Sequence, residues 1–274
     1  MKVKYSDKRR LVIVRNTFQA CGAKAVNFFG AAGQLSCLFG ESAKLMFTRP
    51  IRWRQVLDQM NKVGVTSLPL VFLTALFTGM VLALQSAYQL RLFAATQYTA
   101  DLVALSITRE LGPVLTAMVV AGRVGASITA ELGTMQVTEQ IDALSSLGVD
   151  PNEYLVVPRL MSAFLMLPLL TIYADFIGMF GGFLIGTMKL GMTGTQYFQN
   201  TFFRALVLKD LITGLLKSFA FGIIISIVGC WQGFHADGGA EGVGKATTLS
   251  VVTALVLIIS SDCVFTAVFY FMFG

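Results

Sequence analysis

Long runs of uncharged, mostly apolar residues dominate this chain. A helix that crosses the ~30 Å hydrocarbon core of a bilayer needs about 20 such residues. Runs of this length with few charges cover residues 63–90, 102–134, 155–188, 210–234 and 247–273. The first run is uncharged throughout, and the others carry isolated ionisable residues. The pattern predicts an all-α integral membrane protein with about five transmembrane helices.

A shorter uncharged run, residues 25–40, precedes these five. It is too short to span a bilayer, and glycines and polar residues dilute its apolar character. An interfacial or re-entrant helix fits this pattern better. Basic residues surround the run and are expected at lipid headgroups: Lys24, Lys44, Arg49, Arg52 and Arg54. We therefore divide the chain into a basic N-terminal interfacial helical segment, residues 1–62, and a five-span domain, residues 63–274.

The charge distribution predicts the orientation of the spans. Hydrophobic residues make up 55% of the chain and charged residues 13%, which is outside the range of soluble domains. Residues 1–64 hold 12 Lys and Arg against three acidic residues, so the positive-inside rule places the N-terminus in the cytoplasm. Five crossings then place the C-terminus outside. The inner loop 135–154 has no Lys or Arg, which suggests that a protein partner covers it.

Sequence patterns for catalysis, nucleotide binding or metal binding are weak. Residues 239–246 resemble the phosphate-binding pattern GxxxxGK[ST], but Ala246 replaces the required hydroxyl and a membrane span follows. His235 is the only histidine, and the four cysteines have neither disulfide nor metal-ligand spacing. We therefore expect no catalytic residue, no metal and no cofactor.

Charged residues inside the second predicted span suggest a functional site. Arg109 and Glu110 follow more than two apolar turns, and ionisable groups at such depth usually face a cavity or a partner. The alternative is that the span begins later and the pair lies among headgroups. Arg123 returns to roughly the same helix face about 21 Å further along. For Arg123 we favour a simple pairing with Glu131 or Asp142.

Small residues recur at four-residue spacing in three of the predicted spans. Such stripes let helix backbones approach closely in lipid. The stripes are Gly178, Gly182 and Gly186; Gly214, Ser218, Gly222, Ser226 and Cys230; and Gly122, Ala126 and Ala130. Packing within the chain is the favoured interpretation, with subunit contact as the alternative. On that alternative, replacing Gly182 or Gly222 by Leu weakens a dimer.

Residues 137–148 are predicted to form a short amphipathic helix in the cytoplasm. Thr138 is a candidate N-cap, and Gly148 ends the segment. A helix between two spans is a suitable docking element for a soluble partner, and an interfacial linker is the alternative. The expected partner contacts are apolar or acidic side chains: Val137, Glu139, Ile141, Asp142 and Leu144.

Several motifs occur in an order that resembles one known family. They are TRELGPV (108–114), AGRVGA (121–126), AELG (130–133) and TEQIDAL (138–144), together with KVGVTSLP (62–69), GMVLALQ (79–85), LLKS (215–218) and GAEGVGKATT (239–248). As a set, these resemble the MlaE-type permease of bacterial ABC transporters that move lipids between membranes. The resemblance extends from about residue 50 to the end of the chain.

The resemblance implies a transport subunit with several partners. It implies a homodimer in the bacterial inner membrane, bound to a separate cytoplasmic ABC ATPase and capped outside by MCE-domain lipid-binding subunits. The substrate would be a phospholipid or a related lipid that moves between inner and outer membranes, which would maintain outer-membrane lipid asymmetry. The family's Arg-Glu pair near the lipid pocket corresponds to Arg109 and Glu110, and its coupling helix to residues 138–144.

The outer part of the first span is the predicted wall of a lipid pocket, and two other functions are also considered. For a double-chain lipid we expect pocket walls at the outer part of the first span and just beyond it: Leu82, Leu90 and Tyr98. One alternative function is an ion-coupled secondary transporter with Arg109, Glu110, Asp175 and Asp262 as relays. The other is an intramembrane enzyme of lipid metabolism.

Overall fold

A computed structural model describes residue 26 and residues 29–273, and in these residues the chain is helical without a β-strand. Five helical segments are long and apolar enough to cross a membrane, and we number them as spans one to five. They are Trp53–Arg91, Thr96–Val137, Asn152–Met188, Leu208–Phe234 and Gly239–Met272. The predicted all-α membrane protein with five spans is confirmed. The basic residues before Val26 lie outside the described residues.

The spans are built from shorter helical elements joined by 3₁₀ or π turns. The α-helices are α1 (29–48), α2 (Trp53–Val63), α3 (Leu68–Arg91), α4 (Thr99–Ser106), α5 (Gly112–Val120), α6 (Ala126–Val137), α7 (Gln140–Ser146), α8 (Val157–Met188), α9 (Gly194–Gln199), α10 (Leu208–Phe234) and α11 (Gly239–Phe273). The π turns are Ile107–Leu111 and Ala121–Gly125 within span two, Asn152–Val156 at the start of span three, and Asn200–Ala205. Such π turns are frequently found at functional sites.

Helix α1 lies at one end of the bundle, against the ends of spans three and four. Its Gln34 accepts a hydrogen bond from the Trp231 indole, 3.3 Å away, and its Glu41 accepts one from Asn152, 3.2 Å away. Leu35 packs against the hydrophobic core. The helix is uninterrupted over residues 29–48 and extends beyond the predicted run 25–40, and an interfacial position for it stays a prediction.

The small residues of spans three and four pack the bundle within one chain. A Cβ added at Gly222 would lie 2.7 Å from the backbone oxygen of Ala163, and one added at Gly182 would lie 2.8 Å from Val103. The suggestion that Gly182 and Gly222 form a dimer face is therefore wrong, because their own chain already fills the space beside them. At Gly122, by contrast, an added Cβ would meet nothing within 4 Å.

Span five attaches to the bundle along a single narrow stripe. Its buried residues recur every four positions: Ala246, Ser250, Ala254 and Ile258. The small side chains at three of these positions allow close packing against spans two and four. Residues 239–246 form the first turns of α11 and not a phosphate-binding loop. The other apolar residues of this helix up to Met272 are half-buried or exposed, as in a span that faces lipid on most of its surface.

Candidate functional site: two charged pockets along the second span

Arg109 and Glu110 lie in the π turn Ile107–Leu111, where span two faces span four. Pro113 follows in the first turn of α5, where its lack of a backbone N–H is tolerated. Arg109 Nε donates to Asp210 Oδ1 at 2.7 Å. The Asp210 side chain is only 6% exposed, whereas that of Arg109 is 54% exposed. Asp210 thus anchors the arginine while the rest of the guanidinium faces a cavity.

Lys217 of span four is the centre of the charge cluster, and its side chain is 2% exposed. Its Nζ lies 2.6 Å from Glu110 Oε2 and 2.9 Å from Asp262 Oδ1. The same ammonium donates to Thr266 Oγ1 at 2.8 Å, and this hydroxyl donates to Glu110 Oε1 at 3.1 Å. Spans two, four and five are therefore joined by one network in which the buried cation has the partners it requires.

A cavity of about 300 Å³ opens beside this network, and we call it the Lys217 pocket. Its lining combines charged groups with two aromatic rings: Arg109, Glu110, Lys209, Thr213, Lys217, Thr266, Phe269 and Tyr270. Counting the adjoining Asp210 and Asp262, three cations face three carboxylates. The pocket is therefore neutral overall but strongly polar, with an apolar wall on one side.

The structure brings together only part of the predicted lipid pocket. Arg109 and Glu110 line the Lys217 pocket, but Leu82, Leu90 and Tyr98 are not part of its lining. Leu82 is half-buried against the cluster around Ala83. Leu90 is half-buried near the end of α3. Tyr98 lies in the first turn of span two, with the Arg204 guanidinium 5.0 Å from its ring centre.

The residue at the centre of this network is not among the predicted site residues. Lys217 interrupts an apolar run and lies in the motif LLKS (215–218), but neither it nor Asp210 is a predicted site residue. A lone lysine inside one span and acidic residues inside two others are the signal that predicts such a pairing. Asp175, named as a relay in one alternative, is outside these ion pairs. It is buried against Gly112, and its Oδ1 has no hydrogen-bond partner among the described residues.

A second cavity, of about 380 Å³, lies further along span two and also contains an arginine from a π turn. We call it the Arg123 pocket, and its lining is Gln59, Lys62, Val63, Thr66, Arg123, Val124, Ser127, Ile128 and Glu131. Arg123 Nη1 donates to the hydroxyls of Thr66 and Ser67, at 2.8 and 3.0 Å.

The expected pairing of Arg123 with Glu131 or Asp142 is wrong. Glu131 lies instead between two other cations, 2.9 Å from Lys62 Nζ and 3.0 Å from Arg159 Nη2. The Arg159 side chain is 7% exposed, so it lies inside the bundle and needs an anionic partner there. It binds the Glu131 carboxylate that Arg123 was expected to bind. Asp142 is exposed on α7.

The predicted loop helix is present but is shorter and capped differently. Thr138 is not its N-cap: it follows the end of α6, and its hydroxyl donates back to the Thr134 carbonyl at 2.7 Å. Glu139, with a φ of 59°, then reverses the chain, and α7 begins at Gln140. The chain reversal uses a left-handed backbone conformation that sequence patterns did not reveal.

The side chains of this segment divide between the bundle and the surface. Ile141 is 7% exposed and packs into the hydrophobic core, so it does not present the apolar contact that we expected it to offer a partner. Val137 and Leu144 are half-buried, while Glu139 and Asp142 are exposed. Leu147, just after α7, is 80% exposed and is not among the predicted partner contacts.

Comparison with known proteins places these features in a family context. The family model described as "Permease MlaE" matches residues 56–268. A probable ABC transporter permease protein of Rickettsia conorii is 43% identical, over 93% of this chain and 98% of the relative. One of Synechocystis is 47% identical, over 77% of this chain and 80% of the relative. The chloroplastic protein TRIGALACTOSYLDIACYLGLYCEROL 1 of Arabidopsis thaliana is 39% identical, over 80% of this chain and 63% of the relative.

Proposed function

The chain belongs to the MlaE permease family of multi-pass membrane proteins, and on that premise we propose that it is the lipid-conducting subunit of an ABC transporter. A separate ATPase hydrolyses the ATP, and this subunit itself performs no chemistry. It moves phospholipids or related lipids between the inner and outer membranes of a bacterium.

The observation that carries this proposal is the charge network beside the Lys217 pocket. Ionisable groups inside a membrane are expensive to bury and are typical of substrate pathways. Glu110, Lys217 and Asp262 come from three different spans, so their ion pairs hold only while those spans keep their present spacing. We infer that a lipid headgroup exchanges for these internal pairs when the spans separate, while Phe269 and Tyr270 contact its apolar portion.

Helix α7 is the proposed receiver of the ATPase movement. It lies between spans two and three, so a force on α7 acts on both. Span two carries Arg109 and Glu110, and a shift of this span relative to span four changes the distance from Glu110 to Lys217. Docking at one end of the span is thereby linked to the charge network within it.

The remaining partners and the orientation are part of the same proposal. The name of the Arabidopsis relative includes a diacylglycerol lipid, which supports a lipid with two acyl chains. The N-terminus is cytoplasmic because the basic residues concentrate there, and the C-terminus is periplasmic. Two copies form a homodimer, and MCE-domain subunits receive or deliver lipid on the periplasmic side.

Reconstitution tests the function directly. The chain and its co-purified ATPase are placed in liposomes, and ATP-dependent transfer of a fluorescent phospholipid to acceptor vesicles is measured. Glu110→Gln removes one charge from the network and is expected to lower transfer about tenfold or more, because a charged hydrogen bond is lost. Arg91→Gln, at the exposed end of α3, is the matched control and should leave transfer unchanged.

The same system distinguishes the two other functions. A secondary transporter would transfer its substrate under an ion gradient without the ATPase. A lipid-metabolising enzyme would form a product with the isolated chain. ATP-independent transfer at the full rate, or product formed by the chain alone, would contradict the proposal.

A further inference from the structure

The Arg123 pocket differs from the Lys217 pocket in depth and in charge. Arg109 and Arg123 both lie in π turns of span two, about 21 Å apart along the helix axis. Lys62, at the other wall, immediately precedes the uncharged run of span one. On the proposed orientation, the Arg123 pocket is therefore level with the headgroups of the cytoplasmic leaflet, where phosphate groups concentrate.

The pocket has an excess of positive charge. Its lining holds two cations, Lys62 and Arg123, and a single carboxylate, that of Glu131. Glu131 pairs with Lys62 and with Arg159, which is buried outside the lining, and among the described residues no carboxylate lies within ion-pair distance of Arg123. The cavity is therefore electropositive at the position of Arg123, and it favours an anion.

The arginine is held in place by neutral groups. Both observed partners of its Nη1 are hydroxyls, those of Thr66 and Ser67. They fix the guanidinium without cancelling its charge, so its planar donor face is preorganised for an oxyanion with two acceptor oxygens. Ser127 and Gln59, also in the lining, provide further hydrogen-bonding groups.

An apolar path leads away from the pocket along span one. Thr66 lines the pocket, and the next residues on the same helical face are Leu70, Leu73 and Phe77. All three are exposed, at 42%, 49% and 58%. An anionic group at Arg123 with a hydrocarbon chain along this face matches both the polar and the apolar parts of the surface.

We propose that the Arg123 pocket binds the phosphodiester of a glycerophospholipid from the cytoplasmic leaflet, with Arg123 and Lys62 contacting the phosphate and an acyl chain along Leu70, Leu73 and Phe77. The site extends the proposed function by giving lipid a binding place at the opposite end of span two from the Lys217 pocket. It rests on the proposed orientation and not on transport itself.

Photolabelling in nanodiscs tests the site. The purified full-length chain is placed with phosphatidylglycerol that carries a photoreactive group near its glycerol, and labelled peptides are identified by mass spectrometry. Labelling is expected within residues 59–66 and 123–131. Arg123→Gln should lower it about tenfold, since one charge-assisted contact is lost, and Arg123→Lys should retain only part of it, since lysine keeps the charge but lacks the planar pair of donors. Unchanged labelling in Arg123→Gln overturns the proposal.

Two further probes test whether the pocket recognises a phosphate group and whether that phosphate belongs to a lipid. Photoreactive diacylglycerol with the same acyl chains lacks the phosphate, and it should label these peptides about tenfold less. Equal labelling by diacylglycerol would show that the site recognises only chains. Displacement of the lipid by millimolar inorganic phosphate would assign the pocket to a free phosphate and contradict the lipid assignment.

Control variants separate a binding effect from a folding effect. Arg91→Gln removes an exposed cation at the far end of span one and should leave labelling unchanged. If Arg123→Gln lowers the unfolding temperature, Lys62→Gln provides the same test at a side chain that is 55% exposed. If the unmutated chain is not labelled at these peptides but still supports ATP-dependent transfer, this site alone is refuted. If the unmutated chain is labelled but supports no transfer, the transport function alone is refuted.

Discussion

The two pockets along span two solve the problem of charge in a membrane protein differently. The Lys217 pocket balances three cations with three carboxylates and buries its central lysine at 2% exposure. The Arg123 pocket leaves one arginine held only by hydroxyls among the described residues. Charge deep in a low-dielectric medium requires a partner, while charge near headgroups and water does not. The internal ion pairs of the Lys217 pocket thus indicate a position deep in the membrane. The unpaired charge of Arg123 indicates a surface that binds an anion.

The largest expected effect is at Lys217. Lys217→Met removes the cation and leaves Glu110 and Asp262 facing each other without compensation. We expect a loss of roughly 3 kcal/mol in the free energy of unfolding, because breaking a buried ion pair strands a charge. Thermal unfolding of the detergent-solubilised protein measures it.

The matched control neutralises the stranded acids. Lys217→Met combined with Glu110→Gln and Asp262→Asn should recover most of the lost stability, because no unpaired charge remains. If the triple variant is as unstable as Lys217→Met, the lysine stabilises the bundle through packing and not through charge balance. The comparison between the two pockets would then lose its basis.

The architecture was predictable from the sequence because lipid imposes a simple requirement on length and polarity. Runs such as 63–90 have no alternative to a membrane-spanning helix, and the five spans followed directly. Pairing between spans was not predictable in the same way. Which carboxylate faces Lys217 depends on how spans four and five rotate against span two, and no single helix carries that information. The partners of Arg123 were mispredicted because the buried Arg159 binds Glu131 from another span.

Glu131 allows a second, smaller test of the contrast. Glu131→Gln removes the only carboxylate in the lining of the Arg123 pocket and leaves Arg159 buried without its anion. Stability should fall by about 1.5–3 kcal/mol, the value of a hydrogen bond to a charged group. Binding of anionic lipid should rise at the same time, because the pocket becomes more positive. Thermal unfolding and phosphatidylglycerol photolabelling measure the two effects.

The control for this test is at the other pocket. Asp210→Asn also removes a carboxylate that pairs with an arginine, but at the Lys217 pocket. It should destabilise the protein without raising labelling at residues 123–131. An equal rise in labelling for both variants would mean that total charge, and not the local field of the Arg123 pocket, governs lipid binding.

A substitution at the end of α7 is expected to have the smallest effect on stability but a large effect on assembly with the ATPase. Ile141 and Leu147 are both apolar residues of this segment, but Ile141 is 7% exposed and Leu147 is 80% exposed. An exposed leucine in the same short segment as the exposed acidic residues Glu139 and Asp142 suits a partner surface that combines an apolar groove with basic residues. Leu147→Asp should therefore change the free energy of unfolding by less than about 0.5 kcal/mol. Recovery of the ATPase with the detergent-extracted chain should nevertheless fall strongly.

Ile141→Asp should instead destabilise the chain itself by about 1–3 kcal/mol, since it buries a polar group in the core. Full ATPase recovery with Leu147→Asp would show that the partner does not contact this end of α7, and the proposed link from α7 through span two to Lys217 would need another starting point.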